Sequence, residues 1–234
     1  MEIDYKNIKV IGFDADDTLW VNETYFREAE TEFAKLLSKY ETPNKIDQEL
    51  FKMEMDNLPL YGYGVKGFVL SMVESALELS NYNASNKTIE AILNIGKNML
   101  NKPVELLDGV ENVLKVASKK HKLILATKGD LLDQERKLEK SGLTKYFHHI
   151  EVLSDKKEVN YSKLLKHLDI EPSEFLMIGN SLKSDVLPLV NINANAIHVP
   201  FHTTWAHEEV TEKETNEKEY KTINSLSEVL KMLD

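Results

Sequence analysis

The chain has 234 residues, 42% of them hydrophobic, with no cysteine and a formal net charge of −10 at pH 7. That apolar content supports a packed core, and the absence of cysteine excludes disulfides and thiolate metal sites. The acidic balance disfavours nonspecific binding to nucleic acid or to an anionic membrane.

The opening stretch MEIDYKNIKV lacks the basic segment and long apolar core of a secretory signal. No apolar run approaches the ~18 residues that a membrane span needs. A soluble, cytoplasmic protein is expected. Ile8 to Phe13 predicts a short buried strand. It ends in Asp14, Asp16 and Asp17, three acids within four positions. Like charges this close repel, so something must neutralise them.

A helical stripe follows through Phe26, Ala29, Phe33, Leu36, Leu37 and Tyr40. A second helix is expected over Ile46 to Met55. The stretch NLPLYGYGVKG then breaks the pattern with its glycines and proline. Val65, Phe68, Val69, Met72, Val73, Ala76 and Leu77 form another stripe, and Ile89, Ile92, Leu93 and Met99 a fourth. Residues 21–102 therefore read as all-helical.

After Pro103 strands and helices alternate. Leu123 to Ala126, HIEVL, EFLMIGN and AIHVP are expected strands, with helices between them. Residues 205–220 read as a solvated, charged loop. The expected fold is α/β: a doubly wound, mostly parallel sheet over 1–20 and 103–234, with an all-helical domain over 21–102 inserted after the first strand.

Open parallel sheets bind ligands beyond the carboxyl ends of their strands. Those ends carry Asp14, Asp16 and Asp17; Thr127, Lys128 and Asp130; Asp155, Lys156 and Lys157; and Asn180, Ser181, Ser184 and Asp185. Oxygen ligands without histidine or cysteine suit a hard cation such as Mg²⁺. Lysines and hydroxyls beside it suit a phosphoryl group, toward which an aspartate is a competent nucleophile.

These segments resemble the four motifs of the haloacid dehalogenase (HAD) superfamily, in order. DADDT is similar to motif I, LILAT to motif II, SDKKEVNYSKLL to motif III and IGNSLKSDVLP to motif IV. The helical insert resembles that superfamily's C1 cap. The resemblance implies that Asp14 attacks phosphorus and binds Mg²⁺. It implies that Asp16 offers its carbonyl to the metal, while its side chain, protonated at rest, protonates the leaving oxygen. Thr127 would hold phosphoryl oxygens, Lys156 would pair with Asp14, and Asp185 would be the second carboxylate on the metal. Asn180 stands where an acid is common. It is expected, with Ser181 and Lys128, behind the direct ligands, holding a metal-bound water or the lysine. Lys156 is preferred to Lys157 by its spacing to Tyr161.

Simpler roles compete with these. Asp17 can cap backbone N–H groups at the turn, and Thr18 can close it. Lys128 can meet substrate or solvent. In the resemblance the Tyr61, Tyr63 and Lys66 segment selects substrate; its glycines can equally serve only the turn. The expected activity is Mg²⁺-dependent hydrolysis of a small phosphorylated metabolite, with no nucleic-acid or membrane partner. Alternatives are a phosphomutase or phosphotransferase on the same scaffold, or a non-catalytic HAD-fold binding protein.

Overall fold

The computed structural model describes residues 3–215 and 218–233. In chain order the main elements are β1 (Val10–Phe13), α1 (Glu23–Leu37), α2 (Pro43–Tyr61), α3 (Val65–Leu79), α4 (Asn86–Asn101), α5 (Val110–Ala117), β2 (Lys122–Thr127), α6 (Leu131–Ser141), β3 (His149–Val152), α7 (Glu158–Leu168), β4 (Phe175–Gly179), α8 (Leu187–Asn191), β5 (Asn195–His198) and β6 (Lys221–Thr222). Two compact units emerge. One comprises Met1–Glu23, Val104–Lys128 and Gln134–Asp234; the other comprises Thr24–Pro103 and Gly129–Asp133.

The first unit holds a parallel six-stranded sheet in the order β3-β2-β1-β4-β5-β6. Strand alternation sends Ile11 and Phe13 of β1 to one face, into a cluster with Val113, Leu114, Leu138 and Val229. Val10 goes to the other face, among Tyr161, Leu164, Leu165 and Leu189. Both faces are covered, so β1 and β4 are apolar throughout rather than alternating. Gly12 makes room for β4: a Cβ there would lie 2.7 Å from the Phe175 ring. Chain order reverses between β1 and β4, which opens a crevice at their carboxyl ends.

In the second unit, α1 to α4 bury the stripes read from the sequence. Phe33, Leu37, Ile46, Leu50, Phe68, Met72, Ala76 and Ile92 form its core. The second helix is longer than the expected Ile46 to Met55. It continues through Pro59 to Tyr61, because a proline in the last turn forfeits only one intrahelical hydrogen bond. Gly62, at φ +70°, stops it and donates its N–H to the Leu58 carbonyl.

Among the described residues, no helix is long and apolar enough to cross a membrane. Of the 205–220 segment, Asn216 and Glu217 lie outside the described residues. The rest is not uniformly solvated, since Glu208 turns inward, with only 12% of its side chain exposed.

Candidate active site

Asp14 follows β1 directly, and its N–H donates to the Ile178 carbonyl at 2.9 Å, which extends the β1–β4 pairing to the crevice. Its carboxylate is buried and held from two sides. Lys156 Nζ lies 2.5 Å from Oδ1, and Thr18 Oγ1 donates to Oδ2 at 3.0 Å. Lys156 is itself buried, with only 1% of its side chain exposed, and its second contact is Asp185 Oδ1 at 2.6 Å. Burial alone would strip the ammonium of its proton. The Asp14 and Asp185 carboxylates outweigh that and hold Lys156 well above the usual lysine range. Burial pushes the Asp14 carboxyl up to about 7 against the pull of Lys156, with Asp185 adding to the push. Removing one partner from a buried ion pair of this kind costs about 3–5 kcal/mol, because the other charges stay uncompensated. Lys157 points outward, 69% exposed, to Asp155 at 2.7 Å. The structure thus brings Lys156, not Lys157, to Asp14.

Asp185 sits in the wide helical turn Leu182–Val186 after β4. Its second oxygen accepts the Ser181 N–H at 3.0 Å. The carboxylate lies so close to β4 that a Cβ on Gly179 would fall 2.3 Å from Oδ2. Both oxygens are therefore engaged by Lys156 and Ser181. Asp185, expected as the second carboxylate on a metal, is here held beside Lys156, while Asn180 faces Asp14. With its amide nitrogen toward β1, Asn180 donates to Asp14 Oδ2, the Asp16 carbonyl and Thr18 Oγ1, each at 3.2 Å. Turned the other way, the amide presents oxygen at that same point. In that orientation three oxygens, from Asp14, the Asp16 main chain and Asn180, face one another beside the Thr18 hydroxyl, which donates to the Asn180 oxygen at 3.2 Å, a cluster that would suit a hard cation. Mg²⁺ at 2.0–2.1 Å from each ligand in octahedral geometry sets neighbouring oxygens about 3 Å apart. The donor set fits that ion. Among the described residues no group of three histidine or acidic side chains gathers for a metal, because two of these three oxygens are amide carbonyls.

Asp16 is met by three donors. Trp20 Nε1 donates to Oδ1 at 2.7 Å, Lys137 Nζ to Oδ1 at 2.9 Å and Gln134 Nε2 to Oδ2 at 2.8 Å. Both Asp16 oxygens are engaged by these side chains. Gln134 also donates to the Lys128 carbonyl, tying Asp16 to the end of β2. Gln134 and Lys137 escaped the sequence reading, which followed only the apolar residues of α6. Their three-residue spacing on a helix was the available signal. The Trp20 ring is buried, and its N–H is spent on Asp16.

Asp17 adopts φ +62° and its carboxylate accepts the N–H groups of Asn22 and Glu23. It caps the start of α1, and the Asp17 N–H donates to the Trp20 carbonyl at 2.7 Å. Burial pushes it up to about 7, with those backbone N–H groups opposing.

Thr127 ends β2, buried, with its hydroxyl on the Lys128 carbonyl at 3.1 Å. Lys128 is largely enclosed, with 14% of its side chain exposed. It ion-pairs with Glu208 and donates to Ser184 Oγ at 2.9 Å. Ser181 Oγ donates to the same glutamate. In the helical unit, Tyr61 OH donates to Glu74 at 2.7 Å, Lys66 pairs with Asp130 at 2.8 Å, and Tyr63 is half-buried in the turn between α2 and α3. A glycine is required beside that pair: Gly64 has φ +106°, and a Cβ there would meet the Asp130 amide nitrogen at 3.1 Å.

The family model for haloacid dehalogenase-like hydrolases matches residues 8–193. The chain belongs to that family. HAD-family structures match it along nearly its full length. A haloacid dehalogenase-like family hydrolase from Xanthomonas campestris is 37% identical, with a TM-score of 0.85 over 97% of this chain and 92% of that one. A HAD phosphatase from Thermococcus onnurineus shares the fold at 18% identity and TM-score 0.64, over 97% and 98%. Among curated proteins, the mouse N-acylneuraminate-9-phosphatase is 24% identical over 200 residues, 81% of each chain. The HAD resemblance carried by the four motifs thus holds for the chain as a whole.

Proposed function

We propose that this HAD-family hydrolase removes the phosphoryl group from a small phosphorylated metabolite of the cytoplasm, with Mg²⁺ and through a phosphoryl intermediate on Asp14. The observation that carries this reading is the buried triad in which Lys156 bridges Asp14 and Asp185 beside an oxygen cluster suited to a hard cation.

In this reading the Asp14 carboxylate attacks phosphorus and the ester oxygen leaves. Asp16 passes a proton to that oxygen, then takes one from the water that attacks phosphoryl-Asp14 and restores the carboxylate. To do so it must exchange at least one of its contacts with Trp20, Gln134 and Lys137. Lys156 offsets charge on the phosphoryl oxygens and keeps Asp14 deprotonated for attack. Thr127 turns its hydroxyl from the Lys128 carbonyl to a phosphoryl oxygen. Asp185 orients Lys156. Asp14, the Asp16 carbonyl and Asn180 would hold Mg²⁺, and the ion when bound would supply positive charge to the phosphoryl group.

The phosphatase names of the mouse and rat relatives favour water, rather than a second substrate, as phosphoryl acceptor. The reading is tested by hydrolysis of a chromogenic aryl phosphate and a phosphometabolite panel. Wild type should turn over with Mg²⁺ and stop with EDTA, and Asp14→Asn should be inert. Wild type as inert as Asp14→Asn across the panel contradicts it, and product carrying the phosphoryl group on a second substrate favours a phosphotransferase.

A further inference from the structure

The segment after β5 holds the Ser181–Ser184 turn. Glu208 Oε2 accepts the hydroxyls of Ser181 and Ser184, the latter at 2.6 Å, and Oε1 pairs with Lys128. One residue earlier, the His207 carbonyl accepts Lys183 Nζ. Ser181, Lys183 and Ser184 are thus all gripped by two successive residues of one short turn, Ala206–Glu208. The turn they belong to is also tied internally. The Ser184 N–H donates to Ser181 Oγ at 3.0 Å, and the Asp185 N–H to the Ser181 carbonyl at 2.8 Å.

We infer that Glu208 is a positioning residue for the candidate metal site: it fixes the Ser181–Ser184 turn, so that Asn180 meets Asp14 and Asp185 meets Lys156. This inference rests on the reading of the Asp14, Asp16 and Asn180 oxygens as a cation site. The path is short. Ser181 is the next residue after Asn180, and its N–H holds Asp185 Oδ2. Any shift of Ser181 therefore moves both the amide that faces Asp14 and the carboxylate that orients Lys156.

A glutamate suits the place because two hydroxyls and one ammonium must find acceptors there, and leaving buried donors unmet is costly. Its carboxyl is held down at about 2: burial opposes this, but the Lys128 charge and the three donors prevail. The ion pair also docks Lys128, so its ammonium does not compete with a cation for the Asp14 and Asp185 carboxylates.

The test is a calorimetric Mg²⁺ titration of wild type, Glu208→Ala and Glu208→Gln, alongside thermal unfolding in EDTA. Partners behind metal ligands are worth about 10–100-fold in metal affinity. Glu208→Ala should lose at least about tenfold. Glu208→Gln should recover most of it, because its carbonyl can accept both serine hydroxyls. A purely structural glutamate would lower the melting temperature of both variants and leave Mg²⁺ affinity in place; an unchanged affinity in Glu208→Ala overturns the inference. Where Glu208→Ala does not fold, Ser184→Ala carries the same comparison, with weakened binding expected and unchanged binding overturning the role. Asp14→Asn in the same titration separates the two levels. Wild type that binds no Mg²⁺, or binding that Asp14→Asn leaves intact, overturns the cation site and the inference with it. Binding lost in Asp14→Asn but intact in Glu208→Ala overturns the inference alone.

Discussion

Asn180 faces Asp14 across the ends of two adjacent strands, its amide 3.2 Å from Asp14 Oδ2. A neutral amide at this point supplies an oxygen without charge. Converting it to a carboxylate adds a negative ligand, and charge count is a main determinant of affinity at oxygen-ligand sites. Asn180→Asp is expected to bind Mg²⁺ about tenfold more tightly by calorimetry. It should also unfold at lower temperature in EDTA, because a third carboxylate then crowds Asp14 and Asp185 around one lysine. Unchanged affinity would place Asn180 outside the metal's ligands.

Gly179 gives a sharper steric test. Its missing side chain is the space that the Asp185 carboxylate fills, 2.3 Å from where a Cβ would stand. Gly179→Ala must push Asp185 away from Ser181 and Lys156. Overpacking of this kind costs about 1–3 kcal/mol, measurable by urea denaturation, and kcat should fall more than tenfold. Gly12→Ala is the contrast, since its methyl meets the Phe175 ring rather than a site residue. It should cost similar stability with a much smaller loss of kcat.

Glu208 makes a signed contribution to stability with pH. Its carboxyl lies near 2 in the fold against an ordinary 4.5. A depressed acid stabilises the fold above the unfolded value, and that contribution disappears as pH falls from about 4.5 toward 2. The stability gap between wild type and Glu208→Gln should therefore be largest above pH 5, on the order of 2 kcal/mol. It should narrow below pH 4. Denaturant midpoints at pH 7, 5 and 3 measure it, and a gap that does not change with pH contradicts the assignment.

Lys66 pairs with Asp130 in an exposed setting, 2.8 Å apart. Such pairs contribute about 0–1 kcal/mol, so Lys66→Ala should leave thermal stability nearly unchanged. Its expected effect is on the ranking of substrates in a phosphometabolite panel, with hydrolysis of an aryl phosphate retained. An unchanged ranking reduces the Tyr61 to Lys66 segment to packing.

The chemistry of the site was legible where backbone pattern and side-chain type coincide. An apolar run ending in acids marked Asp14 as the end of β1, and the spacing to Tyr161 separated Lys156 from Lys157. Partners brought from afar in the chain were not legible. Glu208 looked like one more acid in a charged stretch, and only the fold brings it to Lys128, Ser181 and Ser184. Gln134 and Lys137 were hidden because α6 was read for its apolar face, while their work is on the polar one. The partners of Asp16 could not be read either. Trp20, Gln134 and Lys137 supply donors that the local sequence does not reveal. The placement of Asn180 and Asp185 was not legible either, because it depends on the wide turn after β4, which aims the amide at β1 and the carboxylate at Lys156.

Covalent trapping on Asp14 tests the mechanism most directly. Wild type mixed with Mg²⁺ and substrate, quenched in acid during turnover and treated with borohydride, should yield homoserine at position 14 in the digested peptide, because an acyl phosphate is reduced and a free carboxylate is not. Reduction should vanish without substrate. Turnover with Asp14 recovered wholly as aspartate under the same quench, or Asp14→Asn turning over at the wild-type rate, would contradict nucleophilic attack by this residue.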